Sequence, residues 1–119
     1  RATLAARLFD ERLARQGLKT DLPGEDELQR WLLPAIAAVK AGQIAAGSAL
    51  LDQLLDSFAA RGTSHVLLAC TELPIALAAS VRPRAGVCID STLALARLTV
   101  SFWRERGESS SGQQRAQTP

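Results

Sequence analysis

The sequence predicts an α/β fold built on a parallel sheet, and three observations carry that prediction. Two short apolar runs, Val66–Leu68 and Val87–Ile89, are bounded by turn-forming residues, the pattern of strands buried on both faces. Each run gives way to a loop and then a helical pattern, Ile75–Ala79 after the first and Ser91–Arg104 after the second, the rhythm of parallel sheets. Helices with one-sided apolar stripes fill the chain ahead of them. Two or three strands are few for so many helical faces, so the sheet is expected to be incomplete.

The elements follow in order. Ala2–Gly17 is rich in Ala, Leu and Arg, with Leu4, Leu8, Phe9 and Leu13 on one side of a helix and Gly17 at its C-cap. Leu18–Leu22 reads as extended and runs into Pro23–Gly24. Glu25–Ala41 is a second helix with the stripe Leu28, Trp31, Leu32, Ile36 and Val39; Pro34 falls inside it and should kink or divide it. A third helix, Ile44–Arg61, presents Leu51, Leu54, Leu55 and Phe58 and stops at Gly62. The last helix carries Leu93, Leu95, Leu98, Val100, Phe102 and Trp103 nearly all round, which calls for neighbours on every side. The stretch Gly107–Pro119 is Ser, Gln and Gly, a disordered composition.

Composition narrows the function classes. The chain has 119 residues, 47% hydrophobic and 22% charged, with a formal charge of +2. That suits one domain with a modest core and gives no basic face for nucleic acid. No run of about 18 apolar residues is present to span a membrane, and no signal-peptide pattern opens the chain. Two cysteines make no disulfide framework, which points to a reducing cytoplasm. The Arg at position 1 suggests a processed or trimmed chain. Neither zinc-ligand spacing nor a Gly-rich phosphate loop occurs.

Chemistry concentrates in "HVLLACTELP", His65 to Pro74. Ligands of open parallel sheets bind beyond the carboxyl ends of the strands. Cys70 follows one such end and Asp90 the other, where helix N-termini favour a thiolate or a bound carboxylate. Thr71 can cap the next helix or contact a ligand, and Pro74 is tolerated in a first turn. Each residue also has a plain structural reading. Cys70 can be packing, Glu72 a first-turn acid that would raise a neighbouring thiol pKa, and Asp90 a helix start with Ser91 and Thr92. Cys88 reads as core and His65 as solvent-facing.

"LLACTELPIAL" resembles the aspartate/glutamate racemase family, in particular its aspartate racemase branch, through Cys70-Thr71-Glu72-Leu73-Pro74. Ala69 replaces the family's glycine, and Glu72 stands where glutamate racemases usually carry His. "CIDSTLALA", Cys88 to Ala96, is similar to the strand–Asp–Ser/Thr–helix stretch near the family's C-terminus. The opening "RATL" resembles the end of its Gly-Thr-Arg-x-Thr segment. The resemblance implies a cofactor-independent racemase of two three-layer α/β lobes, with residues 1–106 as the C-terminal lobe and 107–119 as a tail. A thiol from each lobe would then flank the substrate α-carbon, one taking its proton and the other returning one. Cys70 would be the second lobe's thiol, Thr71, Thr3 and Lys40 substrate contacts, and Glu72 and Asp90 supporting residues. The partner lobe with the first thiol is absent from these residues, so the chain alone should be inactive and should associate with that lobe or with itself. Two alternatives stay open: a one-thiol decarboxylase or isomerase of a small dicarboxylate, and a non-catalytic remnant or dimerisation module.

Overall fold

The computed structural model describes residues 7–82 and 86–114. The elements run α1 (Asp10–Arg15), α2 (Glu25–Glu27), a π turn (Leu28–Leu32), α3 (Leu33–Lys40), α4 (Ile44–Ala60), β1 (Val66–Leu68), α5 (Glu72–Ala78), β2 (Cys88–Asp90) and α6 (Ser91–Gln114). The fold is mixed α/β. Its sheet, among the described residues, is the single parallel pair β1–β2, in register Val66↔Cys88, Leu67↔Ile89 and Leu68↔Asp90.

Pro34 divides its helix, as its place in the sequence suggested: the π turn Leu28–Leu32 separates α2 from α3. A proline inside a helix lacks an N–H and crowds the preceding turn. Here that turn is widened instead: the Leu33 N–H donates to the Leu28 carbonyl, the five-residue spacing of a π turn. Pro34 then sits at the start of α3, where it costs little. The next helices stop at glycines. Gly42 and Gly62 have φ of 76° and 81°, a left-handed conformation that side chains disfavour. Past them, Gln43 N–H reaches Ala38 O and Thr63 N–H reaches Phe58 O, closing each helix in a Schellman arrangement.

The core lies between the sheet and α3, α4 and α5. Val39, Leu51, Leu55, Leu68, Leu73 and Ala76 are buried together, with Val66, Cys70 and Cys88 packed against them. Successive strand residues face opposite sides, so Leu67 and Ile89 point away from this core. Ile89 is 44% exposed. The described residues therefore cover the strands on one face, not on both as the apolar runs suggested.

Polar clamps hold the periphery. Arg61, at the end of α4, pairs with both Asp21 and Glu27, and Ser57 also donates to Glu27. Glu27 Oε2 in turn accepts the Gly24 N–H at 2.9 Å, a capping box at the start of α2. Arg61, with Ser57, holds the Glu27 carboxyl down at about 2. On the other side, Ser80 donates to both oxygens of the buried Asp52 at 3.0 and 2.9 Å, and Arg82 pairs with Asp56.

Three boundaries differ from the sequence pattern. The helix after β1 starts at Glu72, not Ile75, because Pro74 occupies its first turn. The second strand ends at Asp90, not Ile89, so Asp90 is the last strand residue and no loop separates it from α6. The final helix continues to Gln114, through the first part of the tail whose composition suggested disorder; residues 115–119 lie outside the described ones. The first helix is resolved as Asp10–Arg15, and its expected start at Ala2 also falls outside them.

The α6 helix touches β2, but among the described residues its large apolar side chains stay largely exposed. Leu95, Leu98, Phe102 and Trp103 are 58–71% exposed. The all-round neighbours that its sequence calls for are not supplied by the described residues.

Candidate active site

The end of β1 leads through Ala69 to Cys70, and α5 begins two residues later. This short path brings two side chains onto the Glu72 carboxylate, and α3 supplies a third. Cys70 Sγ donates to Glu72 Oε2 at 2.8 Å, and the Thr71 hydroxyl donates to the same oxygen at 3.0 Å. From the end of α3, Lys40 Nζ lies 3.6 Å from Glu72 Oε1. Lys40 is thus at the motif, although it is distant in sequence.

Electrostatics follow from this geometry. Burial pushes the Cys70 thiol up, and the ionised Glu72 pushes it further. The Glu72 backbone N–H and Lys40 pull the other way but are outweighed. The helix start was expected to activate the thiol; here burial and the carboxylate keep the proton on sulfur. Glu72 moves in the opposite direction, to about 2, held there first by the Cys70 thiol and then by the Thr71 hydroxyl.

Thr71 occupies the N-cap position of α5 without a side-chain cap bond; its hydroxyl is engaged by Glu72. At the other strand end, Asp90 Oδ1 accepts the N–H groups of Thr92 and Leu93 at 2.8 and 3.1 Å, capping α6. Ser91 Oγ donates to the Leu68 carbonyl at 2.9 Å, which locks the start of α6 to the end of β1. That role was missed from the sequence, where Ser91 marks only a helix start. Thr3 lies outside the described residues. His65 is exposed with its Nδ1 3.1 Å from Ser64 Oγ, and Cys88 belongs to the packed layer beneath the sheet.

A cleft of about 630 Å³ runs beside β1, with Cys70 among its lining residues. Its walls are mostly apolar, from Phe9, Leu13, Leu54 and Phe58; Asp10, Lys19, Asp21 and His65 supply polar groups. Cys70 and Cys88 form no disulfide. Among the described residues no group of His, Cys, Asp or Glu is arranged to hold a metal ion, and no helix is long and apolar enough to cross a membrane. A thiol, a hydroxyl, an ammonium and a carboxylate in contact can carry proton transfer and can hold an anionic ligand.

Residues 1–99 match the family model described as Asp/Glu/hydantoin racemase. Over 102 residues, 86% of this chain and 67% of the relative, the sequence is 31% identical to an "uncharacterized protein in pnlA 3′ region" of Pectobacterium carotovorum subsp. carotovorum. No solved structure matches.

Proposed function

The chain belongs to the Asp/Glu/hydantoin racemase family, and from that premise we propose that it serves cofactor-independent racemisation of aspartate or glutamate. In this reading the chain is the C-terminal lobe of an enzyme of the aspartate racemase branch, acting on a small amino acid in the cytoplasm. The observation that carries it is the convergence of Cys70, Thr71 and Lys40 on Glu72 at the carboxyl end of β1.

Cys70 exchanges a proton with the substrate α-carbon from one face. An amino-acid α-proton is very weakly acidic, so the carbanion needs its carboxylate neutralised and water kept away. The Lys40 ammonium and the Thr71 hydroxyl are donors of the required kind beside the thiol, and Thr3 is a third contact in the proposal. Asp90 supports the site by capping α6. Cys88 packs under the sheet, so the second thiol comes from a partner lobe, and the uncovered apolar residues of α6 favour association with that lobe or with another copy.

The test is exchange of the α-proton in D2O, followed by NMR and polarimetry with L- and D-aspartate and glutamate, using the protein with its partner lobe. Racemisation with exchange, abolished by Cys70→Ser, supports the reading. A product of a single configuration, or release of CO2 from a dicarboxylate, would favour a one-thiol enzyme instead. Absence of exchange at any substrate, with Cys70→Ser changing only stability, would leave a non-catalytic module.

A further inference from the structure

Glu72 has a place in this cluster that the proposed reaction does not yet use. One carboxylate oxygen accepts both the Cys70 S–H and the Thr71 hydroxyl, while the other faces Lys40. A thiolate at the same position would stand 2.8 Å from an ionised carboxylate oxygen, a like-charge contact with no bridging proton. Lys40 relieves part of that repulsion from 3.6 Å, on the far oxygen. Among the described residues, Glu72 from α5 and Lys40 from the end of α3 are the charged groups that act on the thiol.

We infer that Glu72 is a positioning residue that keeps Cys70 protonated between turnovers, so that Cys70 enters the reaction as the proton donor, with Lys40 limiting how tightly the proton is held. The inference rests on the racemase reading for its meaning in turnover, though not for its effect on the thiol. In the donating step the S–H bond breaks, a C–H bond forms at the substrate carbanion, and the negative charge passes to sulfur beside Glu72. That thiolate is disfavoured where it stands, so once product leaves it takes a proton from solvent water, releasing hydroxide to the bulk, and the S–H bond is restored. Glu72 also holds the Thr71 hydroxyl and the Lys40 ammonium within reach of one point, preassembling two donors for a substrate carboxylate.

The two charges act on Cys70 with opposite sign, and this separates the inference from a loosened structure. Iodoacetamide reacts with the thiolate, so its rate at neutral pH follows thiol acidity. Peptide mass spectrometry after timed alkylation reports Cys70 and Cys88 separately in the same sample. Glu72→Gln, which keeps an acceptor and removes the charge, should alkylate at Cys70 about tenfold faster, equivalent to roughly one pKa unit. Lys40→Ala should alkylate more slowly than the parent protein. Cys88 should keep its rate in both. Acceleration in both variants would mean local loosening and would overturn the inference, as would an unchanged or slower Cys70 in Glu72→Gln. The D2O exchange assay keeps the two readings apart. Opposite alkylation shifts without exchange retire the racemase reading alone; exchange with unshifted alkylation retires this inference alone.

Discussion

Gly47 and Val39 stand so close that a Cβ added at Gly47 would lie 2.7 Å from Val39 Cγ2, and 3.0 Å from the Ala35 carbonyl as well. The glycine therefore sets how near α4 approaches α3, and through α3 where Lys40 is carried. Gly47→Ala would gain about 1 kcal/mol of helix propensity but force two packed helices apart, at a cost of about 1–3 kcal/mol. A net loss of about 1 kcal/mol is expected, visible as a lower urea midpoint. A midpoint that rises would show that the interface has slack.

Glu27 should give the protein an acid-sensitive clamp. Its carboxyl titrates at about 2 in the folded chain, against 4.5 for the unpaired group. A depressed acid contributes stability that is complete above its unfolded value and is lost as pH falls through the folded one. Glu27→Gln should thus cost roughly 1 kcal/mol at neutral pH, a discounted figure because Arg61 is partly exposed. The cost should shrink between pH 4.5 and about 2 and vanish below. Denaturation curves at stepped pH would show it, and a penalty that persists at the acid end would refute it.

Asp90 caps α6 through Oδ1, and that is a job asparagine can also do. Asp90→Asn should leave stability and α-proton exchange near the parent values. Asp90→Ala should lose about 1 kcal/mol. If Asp90→Asn instead removes exchange while the fold stays intact, the carboxylate has a direct part in the chemistry.

Leu98 stands on α6 with 69% of its surface exposed. Leu98→Asp should leave the stability of the isolated chain within about 0.5 kcal/mol, since an exposed side chain away from any packing contributes little. It should also weaken association, whether with the partner lobe or with another copy, as read by sedimentation. A large loss of thermal stability at low concentration would mean that α6 is covered within the chain itself.

Much of this architecture was legible because local signals were strong. Val66–Leu68 is three apolar residues between turn-formers, and Gly42 and Gly62 mark helix ends that only a left-handed residue can close. Other features were hidden for physical reasons. Pro74 looks like a stop, yet in a first turn its missing N–H costs nothing, so α5 began earlier than its apolar pattern. Asp90 serves as strand end and helix cap at once, which a pattern of separate elements cannot express. The π turn leaves no trace in the apolar stripe beyond Pro34 itself. The Cys70-Thr71-Glu72 stretch was visible as a chemical cluster. That Glu72 would gather both neighbours and Lys40, and leave the thiol protonated, depends on side-chain directions and on a contact between α3 and α5.

The two tryptophans, in a chain without tyrosine, lie in contrasting surroundings: Trp31 is half-buried and Trp103, on α6, is 71% exposed. Indole emission shifts to the blue when water is removed from the ring, so the helix carries its own optical reporter. In a Trp31→Phe background all the fluorescence would come from Trp103, and titrating in whatever covers α6 would register directly as a change of colour.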